Sequence, residues 1–133
     1  MKPILRIILA SLAGVIATML AVSGCEALLP LIFERPPMPT GPDADWGAFV
    51  EKLSMGVKLG LLAGYAIGGF VGGYVATWAT PKPKSITPAV VTAIAFAISG
   101  ILNFQMIPHP IWMMAVGMIL YLATPILGYF AKR

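Results

Sequence analysis

Apolar residues in this chain come in four long blocks, rather than in the stripe of an amphipathic helix or the alternation of a half-buried strand. The blocks run over about residues 4–29, 54–79, 86–105 and 111–130, with almost no charge inside them. A hydrocarbon core about 30 Å thick takes around 20 helical residues, so each block is long enough to cross a bilayer. Pro30 is expected to close the first helix. The second is expected to begin ahead of its apolar block, at an Asp43 or Asp45 N-cap, because Trp46, Phe49, Val50 and Leu53 recur at helical spacing. That gives a helix over about 46–79. Pro88 falls in the first turn of the third span, where a missing N–H is tolerated. Pro125 removes the hydrogen bond to the Tyr121 carbonyl and predicts a kink in the fourth, with Thr124 placed to satisfy the freed group.

Polar residues gather in the three connections. The stretch 34–45 contains Pro36, Pro37, Pro39 and Pro42, a density that predicts an extended, irregular loop. Thr80–Ser85 is short and basic, and Met106–Pro110 is a tight turn bounded by prolines. The second and third spans, and the third and fourth, are therefore expected to be antiparallel neighbours. The fold expected is an all-α, single-domain bundle of four transmembrane helices.

Within the second span, Gly56, Gly60, Gly64, Gly68 and Gly72 recur every fourth residue, Ala76 continues the row, and Gly69 and Gly73 begin a second one. Glycine costs about 1 kcal/mol in a water-exposed helix, so such accumulation is foreign to soluble helices. Between membrane helices small residues allow close backbone approach, the main attraction where lipid offers no hydrophobic drive. Each four-residue step turns about 40°, so the row is a broad spiral able to serve two neighbours. Packing against the first or third span is expected ahead of packing between chains. The closest approach is expected near Gly64 and Gly68, with Leu62 facing outward.

Composition strengthens the membrane reading and charge adds orientation. Of 133 residues 59% are hydrophobic and 11% charged, against about 45–50% and 25% in soluble domains. All five acids (Glu26, Glu34, Asp43, Asp45, Glu51) lie between positions 26 and 51. Lys2, Arg6, Lys82, Lys84, Lys132 and Arg133 occupy the N-terminus, the second connection and the C-terminus, which hold no acid. The positive-inside rule then places both termini in the cytoplasm and the 34–45 loop outside; Arg35, Lys52 and Lys58 are the bases left on the outer side. A net charge of +4 distributed this way reports topology, and no soluble face carries a nucleic-acid patch.

Candidate chemistry is sparse. Glu26 and Lys58 are the ionisable residues inside spans, level with one another if the first two helices run antiparallel. They read as a gating or ion-binding pair, or as side chains snorkelling to the interface. Asn103, Gln105, His109 and Trp112 flank the third connection, either as a small pocket or as helix ties and an interfacial aromatic belt. Met113, Met114 and Met118 read as adaptable packing. Cys25, the only cysteine, excludes an internal disulfide, and no metal or cofactor set is seen. An enzyme is not expected: His109 and Cys25 stand 84 positions apart (109 − 25) and no catalytic cluster accompanies them. Val22-Ser23-Gly24-Cys25 matches a lipoprotein processing motif, but the apolar run continues through Leu28, Leu29, Leu31, Ile32 and Phe33, so the tetrad is expected to stay uncleaved.

Small multidrug-resistance transporters and dual-topology fluoride channels share the size and span number, but the first need a carboxylate where this chain has Gly14-Val15-Ile16-Ala17, and the second an asparagine and phenylalanine set that is missing. Through "LRIILA" at the start, "GYAIGGFVGGYVA" in the second span and "GILNFQMIPHPIW" closing the third, the chain resembles a loose group of small bacterial inner-membrane proteins. That resemblance implies an inner-membrane location and transfers no site.

Two functions follow as expectations. One is a non-enzymatic helix-packing module, self-associating or a subunit of a larger membrane complex, with the bilayer as its constant partner. The other is a small transporter or channel for an uncharged or hydrophobic solute. A continuous cavity between the helices would favour the second, and a solid bundle with an exposed small-residue face the first.

Overall fold

The computed structural model describes residues 2–34 and 36–133, so Arg35 of the charge argument lies outside the described residues. They form five helices and no strand: α1 (Pro3–Ile32), α2 (Trp46–Lys52), α3 (Met55–Trp78), α4 (Thr87–Met106) and α5 (Ile111–Lys132). Four of them, α1, α3, α4 and α5, are long and apolar enough to cross a membrane.

Local chemistry sets the boundaries, and in two places it departs from the sequence expectation. The helix expected over 46–79 is two helices. Asp45 caps α2 by accepting from the Ala48 N–H at 3.0 Å. Leu53 and Ser54 then adopt extended backbone, and the Ser54 hydroxyl accepts from the Val57 N–H at 3.2 Å to start α3. A serine able to bond its own backbone outcompetes continuation of the helix at this point. Pro30 does not close α1, which runs to Ile32 and ends where the Phe33 N–H donates to the Leu29 carbonyl. Helix α5 passes through Pro125, and Thr124 donates to the Leu120 carbonyl at 2.6 Å, one residue before the Tyr121 carbonyl expected.

Helix α3 is central, packing on α1, α5 and α4, most extensively on the first two. The second and fourth spans therefore share a larger seam than the sequence neighbours α3 and α4. Small residues make these seams. A Cβ on Gly72 would stand 2.8 Å from the Gly14 carbonyl oxygen, and one on Gly14 would meet Ala76 at 2.8 Å. A Cβ on Gly73 would lie 2.5 and 2.6 Å from Pro125 C and Cα, and one on Gly128 2.6 Å from the Tyr74 nitrogen. At both seams backbone lies on backbone, which only glycine permits. These contacts place the start of α1, the ends of α3 and α5 and the start of α4 at one end of the bundle, called here the base. Phe33, α2 and the 107–110 turn lie at the opposite end.

Buried threonines do not tie helices together. Thr18, Thr77 and Thr92 each donate to the carbonyl four residues back, on Gly14, Gly73 and Pro88, at 3.0, 2.8 and 2.8 Å. Their hydroxyls are satisfied within their own helices, while the Thr18 and Thr92 oxygens lie against Gly72 and Gly14 of the neighbouring helices. The base is finished by Lys84, whose Nζ donates to the carbonyls of Thr77, Trp78 and Thr80 at 3.0, 3.2 and 2.5 Å and covers the C-terminal end of α3.

Larger side chains fill the rest. Tyr121, Met113, Leu62, Tyr65 and Ala97 form one core cluster, and Leu29, Val50, Leu53 and Val57 form a second under α2. Leu62 is 5% exposed and belongs to the core, contrary to its expected outward position. The outer faces of the long helices carry Leu12, Ile16 and Leu20 on α1, Ile67 and Phe70 on α3, Ile94 and Ile98 on α4, and Ile119 and Leu122 on α5, all exposed.

Candidate functional site: two adjoining cavities

Away from the base the bundle opens. The glycine row runs up α3 beneath the side chains of α1: a Cβ on Gly60 would stand 2.5 Å from Leu29 Cδ2, and one on Gly56 2.6 Å from Phe33 Cε1. Gly68 lies under Val22 and Thr18, and Gly64 under Cys25 alone, whose Cβ would be 3.1 Å away. Against α1 the approach is therefore tightest at Gly72, where Gly14 lies opposite, and looser at Gly64, which meets only Cys25, while Gly73 meets the Pro125 backbone of α5.

Where the α1–α4 seam widens, a cavity of about 240 Å³ lies among α1, α3, α4 and α5. Its base is Val15, Thr18 and Thr92, its inner wall Tyr65, Phe96, Gly100 and Tyr121, and its flank Met19, Ser23 and Ser99. These three flank residues are exposed, so the cavity opens sideways between α1 and α4. A second cavity, of about 230 Å³, lies under α2, lined by Trp46, Phe49, Val50 and Leu53 above and by Val57, Leu61, Ile107 and His109 below. Glu26, Tyr65 and Asn103 line both cavities and form the partition between them.

Each wall has a local cause. Gly100 has no side chain, so the Tyr121 ring packs directly against the α4 backbone there. Tyr121 then stacks among Phe96 at 4.6 Å, Tyr65 at 5.2 Å and Phe104 at 5.9 Å between ring centroids. Phe104 in turn meets the His109 ring edge-on at 5.0 Å. His109 Nδ1 donates to the Ile107 carbonyl. Partial burial lowers the proton affinity of His109 below the usual histidine range, an effect the carbonyl only partly offsets.

The sequence candidates separate accordingly. Asn103 and His109 line cavities, whereas the exposed Gln105 and Trp112 line neither. Glu26 lines both cavities while Lys58 lines neither. Tyr65, Phe96, Ser99 and Tyr121 escaped sequence reasoning; the available signal was two tyrosines deep in apolar spans, whose hydroxyls require polar company. Among the described residues no group of three His, Cys, Asp or Glu side chains could hold a metal ion. No protein-family model matches the chain, and no curated protein or solved structure is detectably similar to it.

Proposed function

We propose that this chain is a multi-pass protein of the bacterial cytoplasmic membrane that binds and passes a small organic solute through the two adjoining cavities. The single observation carrying the reading is the shared wall of Glu26, Tyr65 and Asn103, which makes the cavities one path interrupted by three side chains. The packing-module alternative draws its support from the glycine row, and that row is covered by α1 of the same chain. Exposed aliphatic side chains around all four long helices suit a lipid surround. Six bases near the base of the bundle, against Asp43, Asp45 and Glu51 around α2, suit a cytoplasmic base and an external α2.

Reporter fusions test the orientation: one active only outside the cytoplasm should be silent after residue 133 and active within 36–42. The solute reading is tested by thermal denaturation in detergent with a panel of compact organic cations, anions and neutral molecules. At least one class should raise Tm, and Ser99→Trp, which fills the inner cavity, should abolish the rise. A panel without effect, or a rise that survives Ser99→Trp, overturns the reading.

A further inference from the structure

Polar groups without partners at the inner cavity narrow the solute, an inference that rests on the solute path above. Within the long helices Ser11, Thr18, Thr77, Thr92 and Thr124 each donate to the carbonyl four residues back. Among the described residues no hydrogen bond is seen for the side chains of Ser23, Ser99 and Asn103, and all three line the inner cavity. Ser99 and Asn103, four residues apart, share one face of α4, and Ser23 stands across the opening on α1. A hydroxyl or amide without a partner in an apolar surround is costly, and a solute with its own donor and acceptor removes that cost. Beside these groups is a wall of rings, with Phe96 at 4.6 Å from Tyr121 and edge-on to Tyr65 at 6.5 Å. Such rings favour a further ring, offset or edge-on. Apart from Glu26, which has an interaction of its own, the polar side chains seen to line the inner cavity are neutral hydroxyls and an amide. An ion would give up its hydration to reach them, which a neutral solute does not.

We infer that the inner cavity takes a compact, uncharged aromatic molecule with one hydrogen-bonding group, its ring against the Phe96 and Tyr121 wall and its polar group toward Ser99 and Asn103. This narrows the uncharged or hydrophobic solute expected from the sequence. The cavity volume of about 240 Å³ is below the roughly 300–1,000 Å³ of sites for drug-sized ligands, so the molecule is small. The sideways opening between α1 and α4, where Met19, Ser23 and Ser99 are exposed, admits it from a surrounding apolar phase in which a neutral arene dissolves. Because Asn103 lines both cavities, the polar group is held at the partition that a passing solute has to cross.

The test uses the full chain in detergent and three uncharged probes, each measured against its partition into protein-free micelles. They are 4-methylphenol, 1,4-dimethylbenzene, which lacks the hydroxyl, and 4-methylcyclohexanol, which lacks the aromatic ring. The expected result is tighter binding of 4-methylphenol than of either other probe, by about threefold or more. Its advantage over 1,4-dimethylbenzene should fall in Ser99→Ala, in Asn103→Leu or in both. Binding of 1,4-dimethylbenzene as tight as that of 4-methylphenol overturns the hydrogen-bonding part, and 4-methylcyclohexanol binding as tightly overturns the aromatic part; both leave the solute path standing. Tighter binding of 4-methylbenzoate or 4-methylbenzylammonium overturns the uncharged assignment and also leaves the path standing. Failure of every probe and of the wider panel overturns the path as well. A hydroxyl preference undiminished in both variants overturns the assignment to Ser99 and Asn103. Ser99→Ala removes one exposed hydroxyl for which no bond within the chain is seen, so the comparison stands even if Asn103→Leu fails to fold.

Discussion

The two ends of this bundle use the same helices in opposite ways. At the base, α3 meets α1 and α5 through Gly72, Gly73, Gly14 and Gly128, backbone against backbone, and every buried threonine satisfies itself. Toward α2, the same seams are spaced by Leu29, Phe33, Tyr65 and Tyr121, and space remains for two cavities. Side-chain size opposite one glycine row thus sets how far the helices stand apart. A tight base fixes the helix positions, and the splay this leaves above it is where binding chemistry has room.

The largest effect that could break this comparison is at the α3–α5 seam. Gly73→Leu would drive a side chain into the Pro125 backbone, which cannot rotate away. Overpacking typically costs about 1–3 kcal/mol and more where the obstacle is backbone, so the variant should lose cooperative thermal unfolding in detergent or fail to accumulate. Gly24, where a Cβ would meet nothing within 4 Å, supplies the control: Gly24→Leu should unfold like the wild type. Equal behaviour of the two variants would show that the base is not tightly packed.

A smaller loss is expected for Gly64→Leu. Its first added carbon meets only Cys25, at 3.1 Å, and the cavity beyond Val22 gives side chains room to shift. The penalty should fall near the lower end of the about 1–3 kcal/mol range, clearly below that of Gly73→Leu. A Gly64 penalty matching Gly73 would place the closest approach at mid-helix after all. Leu59→Ile, on the exposed face of α3, should be silent.

The long helices and the glycine row were legible in sequence, but the place of tightest packing, expected near Gly64 and Gly68, was not. Four apolar blocks and a four-residue glycine repeat are local patterns, readable from spacing alone. The break at Ser54 was hidden because Val50, Leu53 and Val57 keep helical spacing across it, while a single hydroxyl bond to Val57 decides the outcome. The cavities have no local pattern: Glu26, Tyr65, Asn103 and Tyr121 come from four helices and meet only through packing. Asn103 and His109 were singled out for polarity in an apolar stretch, whereas Tyr65 and Tyr121 passed as ordinary apolar content. Leu62 was misplaced for a related reason, since a helix apolar all round gives no periodicity from which to tell core from outer face.

The third effect tests how the base is closed. Lys84 covers the end of α3, with its charge shared among three carbonyls. Lys84→Met keeps the apolar stem and removes those bonds. Because the site is partly exposed and water can replace part of what is lost, the cost should be about 1 kcal/mol, read as a lower Tm in detergent. Lys82→Met, a neighbour for which no such bonds are seen, should change little.

The smallest effect belongs to the open end and depends on pH. His109 binds a proton less readily in the folded chain than its ordinary pKa of 6.5, because burial disfavours the charged ring. A histidine with a lowered folded pKa leaves the unfolded chain holding more protons between the two values, so stability rises with pH across that interval. The contribution is complete above 6.5 and declines as pH falls below it, levelling off under the folded pKa. Tm of the wild type should therefore drop on acidification from about pH 7 to 5 by slightly more than that of His109→Gln, the difference isolating His109 from the nearby acids. The expected difference is small because the ring is only half-buried. A wild type that gains stability relative to His109→Gln on acidification would mean the protonated ring is the favoured form, and the wall beneath α2 more anionic than its lining indicates.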